Sequence, residues 1–188
     1  MSVLWSLFLR LLGWTVQASF PYHLKKCVVI IAPHTSSWDF IIGLAIRSKI
    51  HLTHAKYLGK GELFKRPLGF IFRKLGGFPV DRTHQHKMVD QVVQLFNSHE
   101  SFVLVLSPEG TRKKVDRLRT GFYHIAKKAG VPIIMTGFDF EKKYASFSDP
   151  FFPTDDEAAD FQYIYQFYAT IKGKNPEQGI AHLLTTSS

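Results

Sequence analysis

The sequence contains one cysteine, Cys27, among 188 residues. That excludes an internal disulfide and a multi-cysteine metal site. Acidic residues are also scarce, 15 against 24 lysines and arginines, leaving a formal charge of +9. Such a surface suits an anionic partner: a nucleic acid, a phosphorylated metabolite or an anionic lipid. No RNP, KH or helix-turn-helix signature is present, so the charge lacks the motifs that accompany nucleic-acid binding. No internal repeat and no Gly/Pro/Ser-rich linker divides the chain. Charged residues make up only 21% and apolar ones 45%, which excludes a disordered polyelectrolyte and predicts one folded domain with a substantial core.

Long apolar runs are almost missing too. The exception is residues 3–20, VLWSLFLRLLGWTVQASF. As a helix this would reach about 27 Å, just short of a hydrocarbon core. Arg10 lies in its middle, where a spanning helix would be charged a few kcal/mol. Trp5 and Trp14 are residues that favour the interface. The pattern predicts a helix lying in the membrane surface, against the alternative of a helix packed on the domain. A signal peptide is not expected, because no basic residue precedes the run. Residues 60–77 interleave Phe64, Phe70, Ile71 and Phe72 with Lys65, Arg66, Arg73 and Lys74. This reads either as a second phospholipid contact or as a helix with a solvated basic face.

What the chain does have is buried-looking strands that end in polar turns. Val28–Ile31 is a short β-branched run suited to a strand covered on both faces. Pro33 ends it. His34 follows in the turn, Ser36 is placed to N-cap a helix, and Asp39 falls at N3 of a capping box. Ligands in open α/β sheets bind at such carboxyl ends. An Asp that accepts from one imidazole nitrogen fixes the tautomer and leaves the other nitrogen free to take a proton. The alternative is that Asp39 only caps the helix and His34 is an ordinary loop residue.

Phe102–Leu106 is a second apolar strand, and it runs into Ser107-Pro108-Glu109-Gly110-Thr111-Arg112. Gly110 lets the backbone approach a ligand closely. Arg112 offers a planar fork matched to a phosphate. Glu109 can hold the arginines or accept from a substrate hydroxyl; the alternative is a surface turn with an ion pair. Further elements are predicted as helices at 40–50, 86–98 and 121–129 and strands at 51–56, from Pro132 onward and at 147–152. A capping box at 154–157 opens a last helix carrying Phe161, Ile164, Tyr165 and Tyr168 on one face. Three segments result: an N-terminal membrane-associating helix over 1–22, the main domain over 23–175 and a tail over 176–188 expected to fray.

In order and spacing, His34 with Asp39, Lys60 with Pro67 leading to Asp81-Arg82, Pro108-Glu109-Gly110-Thr111-Arg112, and Val131-Pro132-Ile133 resemble the glycerolipid acyltransferases. Among these the chain is most similar to the bacterial 1-acylglycerol-3-phosphate acyltransferases, over about residues 28–140. The resemblance implies an α/β fold with a mixed, largely parallel central sheet wrapped by helices. It implies His34 as general base with Asp39 as its partner. Arg82, Glu109, Gly110, Thr111, Arg112 and Lys60 match the acceptor-phosphate site, and Pro132 the acyl or substrate motif. The co-substrate would be acyl-CoA or an acyl carrier protein thioester, with no metal or other cofactor. Expected partners are a lysophospholipid acceptor and an anionic membrane, with no nucleic acid. The implied location is the cytoplasmic face of a bacterial inner membrane, peripheral or monotopic. Two departures stand out: Ser107 where the family commonly has Phe, and Arg119 where it more often has Lys. No Ser or Cys sits in a nucleophile elbow, so direct transfer is expected rather than an acyl-enzyme. A lyso-aminolipid acceptor and a non-catalytic basic membrane- or nucleic-acid-binding module are the competing readings.

Overall fold

The computed structural model describes residues 2–17, 20–65, 67, 69–80 and 85–184. In chain order the elements are α1 (Ser2–Leu11), β1 (Thr15–Val16), β2 (Lys26–Ala32), α2 (Trp38–Lys49), β3 (Lys56–Lys60), α3 (Gly69–Lys74), β4 (Gly77–Val80), α4 (Gln85–Ser98), β5 (Phe102–Leu106), α5 (Gly121–Ala129), β6 (Ile133–Asp139), β7 (Tyr144–Phe147) and α6 (Glu157–Tyr168). The strands form a seven-stranded sheet in the order β1-β7-β6-β2-β5-β3-β4. All neighbours run parallel except β6 and β7. The sheet is therefore mixed and largely parallel.

β2 is central because it carries apolar residues on both faces. Val28, Ile30 and Ala32 point to one side, into a core shared with α4, α5 and α6. Cys27 and Val29 point to the other, where Leu9 of α1 and Ile42 and Ile46 of α2 pack. Period-two alternation thus divides the molecule into a helical layer on each face. β5 repeats the pattern beside it.

Five expectations shift. The first helix stops at Leu11 rather than running to residue 20, because Gly13 takes φ +75°, a left-handed conformation open to glycine. The chain then pairs as an edge strand with β7. Trp14 is buried against Phe138 and Phe140 and does not belong to an interface belt. α1 does have two faces: Leu9 is fully buried, whereas Leu4 and Leu11 are 71% and 78% exposed with Leu7 between them. Among the described residues no helix is long and apolar enough to cross a membrane.

The strand expected at 51–56 lies at Lys56–Lys60, after His51 at φ +55° breaks the path. The strand expected at 147–152 is Tyr144–Phe147, with one isolated bridge from Phe151 to Ile133. Helix α6 is capped by Asp156, which accepts from Ala159 N–H at 3.0 Å, while Thr154 bonds Asp160. The tail expected to fray packs as far as residue 184: Ile180 and Leu183 are buried in the α6 core.

Candidate active site

β2 ends at Ala32, and Pro33 cannot extend its ladder. His34 therefore stands just beyond the carboxyl end of the central strand, with its side chain 24% exposed. Its Nδ1 lies 3.1 Å from Asp39 Oδ2, and the Asp39 side chain is 2% exposed. Asp39 is in the first turn of α2, so the helix presents the carboxylate back toward the turn. The same Oδ2 accepts Ser36 N–H at 2.8 Å. This is one half of the expected capping box; the N-cap is Ser37, which makes no side-chain cap bond. A carboxylate only accepts, so Nδ1 carries the proton and Nε2 keeps its lone pair. A histidine so held can abstract a proton from a hydroxyl.

The β5 turn lies beside it because β2 and β5 are parallel neighbours. Glu109 turns inward and is 2% exposed. Its two oxygens accept the His34 main-chain N–H at 3.0 and 2.9 Å, and Ser107 Oγ donates to it at 3.0 Å. Burial pushes the Glu109 carboxyl up to about 7, against the opposing pull of the His34 N–H and the Ser107 hydroxyl. Glu109 thus faces the His34 backbone, not the open mouth where an acceptor phosphate would enter. Ser107, the departure from the usual Phe, supplies a hydroxyl to that carboxylate, a partner the sequence reading missed.

Gly110 has φ +66°, and a Cβ there would lie 2.6 Å from Arg119 Nε. The guanidinium of Arg119 therefore crosses bare backbone. Arg112 points outward and donates from Nη1 to Ser37 Oγ at 2.8 Å. Ser37 was likewise not singled out from the sequence. Thr111 Oγ1 accepts Lys113 N–H at 3.3 Å, which tightens the loop.

The other expected residues are placed differently. Lys60 ends β3, opposite Val80 at the end of β4, and its side chain is outside the described atoms. Arg82 lies outside the described residues. Pro132 precedes β6 and accepts Val28 N–H at 2.9 Å. Since Ile133 pairs with Val28 and Gly137 with Ala32, Pro132 is at the amino end of the sheet. At about 3.3 Å per residue it is roughly 20 Å from the level of His34, so the structure does not bring it to this mouth. Its visible work is to close the sheet.

A cavity of about 940 Å³ opens at His34. Ser37, Arg112, Lys113 and Arg119 line it together with Asp39, and Val29, Ile31, Leu44, Ile46, Ile50 and Leu52 carry it between α2 and the sheet. It is basic at one part and hydrocarbon-lined at another. That combination accepts an amphiphile with an anionic head.

Residues 15–138 match the family model described as acyltransferase. The fold also matches the crystal structure of the 1-acyl-sn-glycerophosphate (LPA) acyltransferase PlsC from Thermotoga maritima, with a TM-score of 0.60 and 16% identity over 88% of this chain and 74% of that one. At that identity the likeness speaks for the fold. No curated protein matches the sequence significantly.

Proposed function

The chain belongs to the acyltransferase family, and from that premise we propose that it transfers an acyl chain to the free hydroxyl of 1-acyl-sn-glycerol-3-phosphate, giving phosphatidic acid. The observation that carries the reading is the His34–Asp39 pair, 3.1 Å apart, at a cavity that is cationic at its mouth and apolar within. Nε2 of His34 takes the hydroxyl proton as the oxygen attacks the thioester carbonyl. The carbon–sulfur bond breaks, and the leaving thiolate takes the proton back from the imidazolium. Asp39 holds the tautomer and balances the positive ring. Arg112 and Lys60, the latter at the end of β3, together with Arg82 receive the acceptor phosphate. The acyl chain runs along the apolar part of the cavity. The donor is acyl-CoA or acyl carrier protein thioester.

The exposed stripe of Leu4, Leu7 and Leu11 on α1 supports peripheral attachment to a membrane; in this reading the membrane is anionic, at the cytoplasmic face of a bacterial inner membrane. The test is a panel assay of purified protein. Palmitoyl-CoA and palmitoyl-acyl carrier protein are each offered with lysophosphatidate, lysophosphatidylcholine and a lyso-aminolipid. Lysophosphatidate is expected to be used best. Equal use of either acceptor without a phosphate monoester would overturn the assignment, and equal use of the lyso-aminolipid in particular would favour the lyso-aminolipid reading.

A further inference from the structure

Residues 172–183 follow α6 and lie beyond the 15–138 segment that matches the family model. They form a strap against the His34 turn and the loop that follows Arg112. Phe140 N–H donates to the Lys172 carbonyl at 2.8 Å, tying the strap to the chain after β6. Gly173 is then pressed onto the His34 turn: a Cβ there would meet Thr35 Oγ1 at 2.7 Å, Thr35 Cγ2 at 2.9 Å and Pro33 Cβ at 3.3 Å. The strap therefore touches the residues on both sides of His34. Asn175 closes the contact. Its main-chain N–H donates to Thr35 Oγ1 at 3.1 Å, and its Nδ2 donates to the Thr35 carbonyl at 2.9 Å. Farther on, Ile180 and Leu183 seat in the core, and His182 Nε2 donates to the Val115 carbonyl at 2.9 Å, in the loop that follows Arg112.

A turn beyond the end of a strand has no ladder to hold it, so its buried backbone groups need other partners. Here the His34 N–H is held by Glu109, and the next residue's carbonyl is held by Asn175. The chain is held at the His34 N–H and again at the Thr35 carbonyl, which sets the direction of the His34 Cα–Cβ bond, while Asp39 holds the ring. We propose that Asn175 is a positioning residue for acyl transfer, acting through Thr35 to hold His34 in line with Asp39, and that the strap completes an active site which the matched core leaves unbraced. The proposal rests on His34 as general base. Asn175 itself touches no substrate.

Asn175→Ala removes the side-chain donor, and Asn175→Asp sets a carboxylate oxygen against the Thr35 carbonyl with little change in size. Both are expected to lower kcat roughly 10- to 100-fold, the range a small misplacement of a reacting group can cause. The KM values for both substrates should stay within about twofold. Ile164→Val, which trims a buried methyl in α6, is the control: it lowers the melting temperature and leaves kcat unchanged. A second readout is independent of turnover. The His34 Nδ1–H proton resonance, identified by its loss in His34→Gln, should move in both Asn175 variants. An unchanged resonance together with unchanged kcat would overturn the proposal. If the wild type acylates no acceptor in the panel while the resonance still moves, the positioning stands and the assigned reaction is what has failed.

Discussion

The turns after β2 and β5 are built alike and used in opposite ways. Each follows an uninterrupted apolar strand, each contains a proline, and the two strands lie side by side in parallel. After β2 the titratable side chain stays near solvent, where His34 can reach a substrate. After β5 it goes inward, and Glu109 accepts the N–H of the very residue that the other turn displays. The left-handed Gly110 lets the β5 turn continue under Arg119 and carry Arg112 out to Ser37. One turn presents the reacting group; the other holds it and supplies the cations. Conserving the direction of one imidazole takes both.

The sharpest way to break this division is to remove the presented group. His34→Ala is expected to cut kcat by about 10²–10⁴-fold, the usual worth of a general base, with the thermal melt unchanged. Asp39→Asn should lose most of the activity, since an amide can favour the wrong tautomer. Retention of more than a tenth of the rate in His34→Ala would remove the base assignment. Initial rates at saturating substrate, beside circular dichroism melts, decide it.

A smaller effect is expected from the outward-facing cation of the second turn. Arg112→Ala should lower kcat/KM for lysophosphatidate by roughly 10–100-fold, matching about 1.5–3 kcal/mol for a charge-assisted contact. The KM of the thioester donor should change far less. If donor and acceptor suffered equally, Arg112 would serve the donor's phosphates.

The least change in turnover is expected at the holding carboxyl. Glu109→Gln keeps an acceptor for the His34 N–H, and its distinctive signature is in stability against pH. Burial raises the Glu109 carboxyl from 4.5 to about 7, so folding favours the protonated form. The stability this contributes is complete below about pH 4.5 and is lost as pH rises through about 7. The loss is up to about 3 kcal/mol from a shift of that size. Thermal melts between pH 5 and 8 should fall more steeply for the wild type than for Glu109→Gln. Parallel curves would mean that Glu109 stays ionised throughout.

The sequence announces those parts of the fold whose signal is local. β5 and α5 fall where their apolar runs and helical spacing put them, because nothing competes with burial there. His34 and Asp39 meet as their five-residue offset allows. What was hidden depends on distant partners. The inward turn of Glu109 follows from a bond to a residue 75 positions away. The end of α1 depends on Gly13 and on an edge pairing of only two residues. Pro132 looks like a motif residue in one dimension and proves to sit at the far end of its strand. The tail looks loose because Ile180 falls between two short 3₁₀ turns and Leu183 lies within the second, elements too brief for periodicity to register.

The central position of β2 has a consequence for how the molecule is made. Both of its neighbours come much later in the chain, and the bond that fixes His34 spans 75 residues while the one that fixes Thr35 spans 140. At roughly 5–20 residues per second of synthesis, the strand Val28-Val29-Ile30-Ile31 waits about 4–15 seconds for its first partner. During that interval a β-branched segment with both faces bare is open to pairing with other chains. Topology of this kind also slows refolding, because long loops must close before any central pairing is rewarded. Catalytic competence should therefore appear last on refolding, after the helices and most of the core have formed.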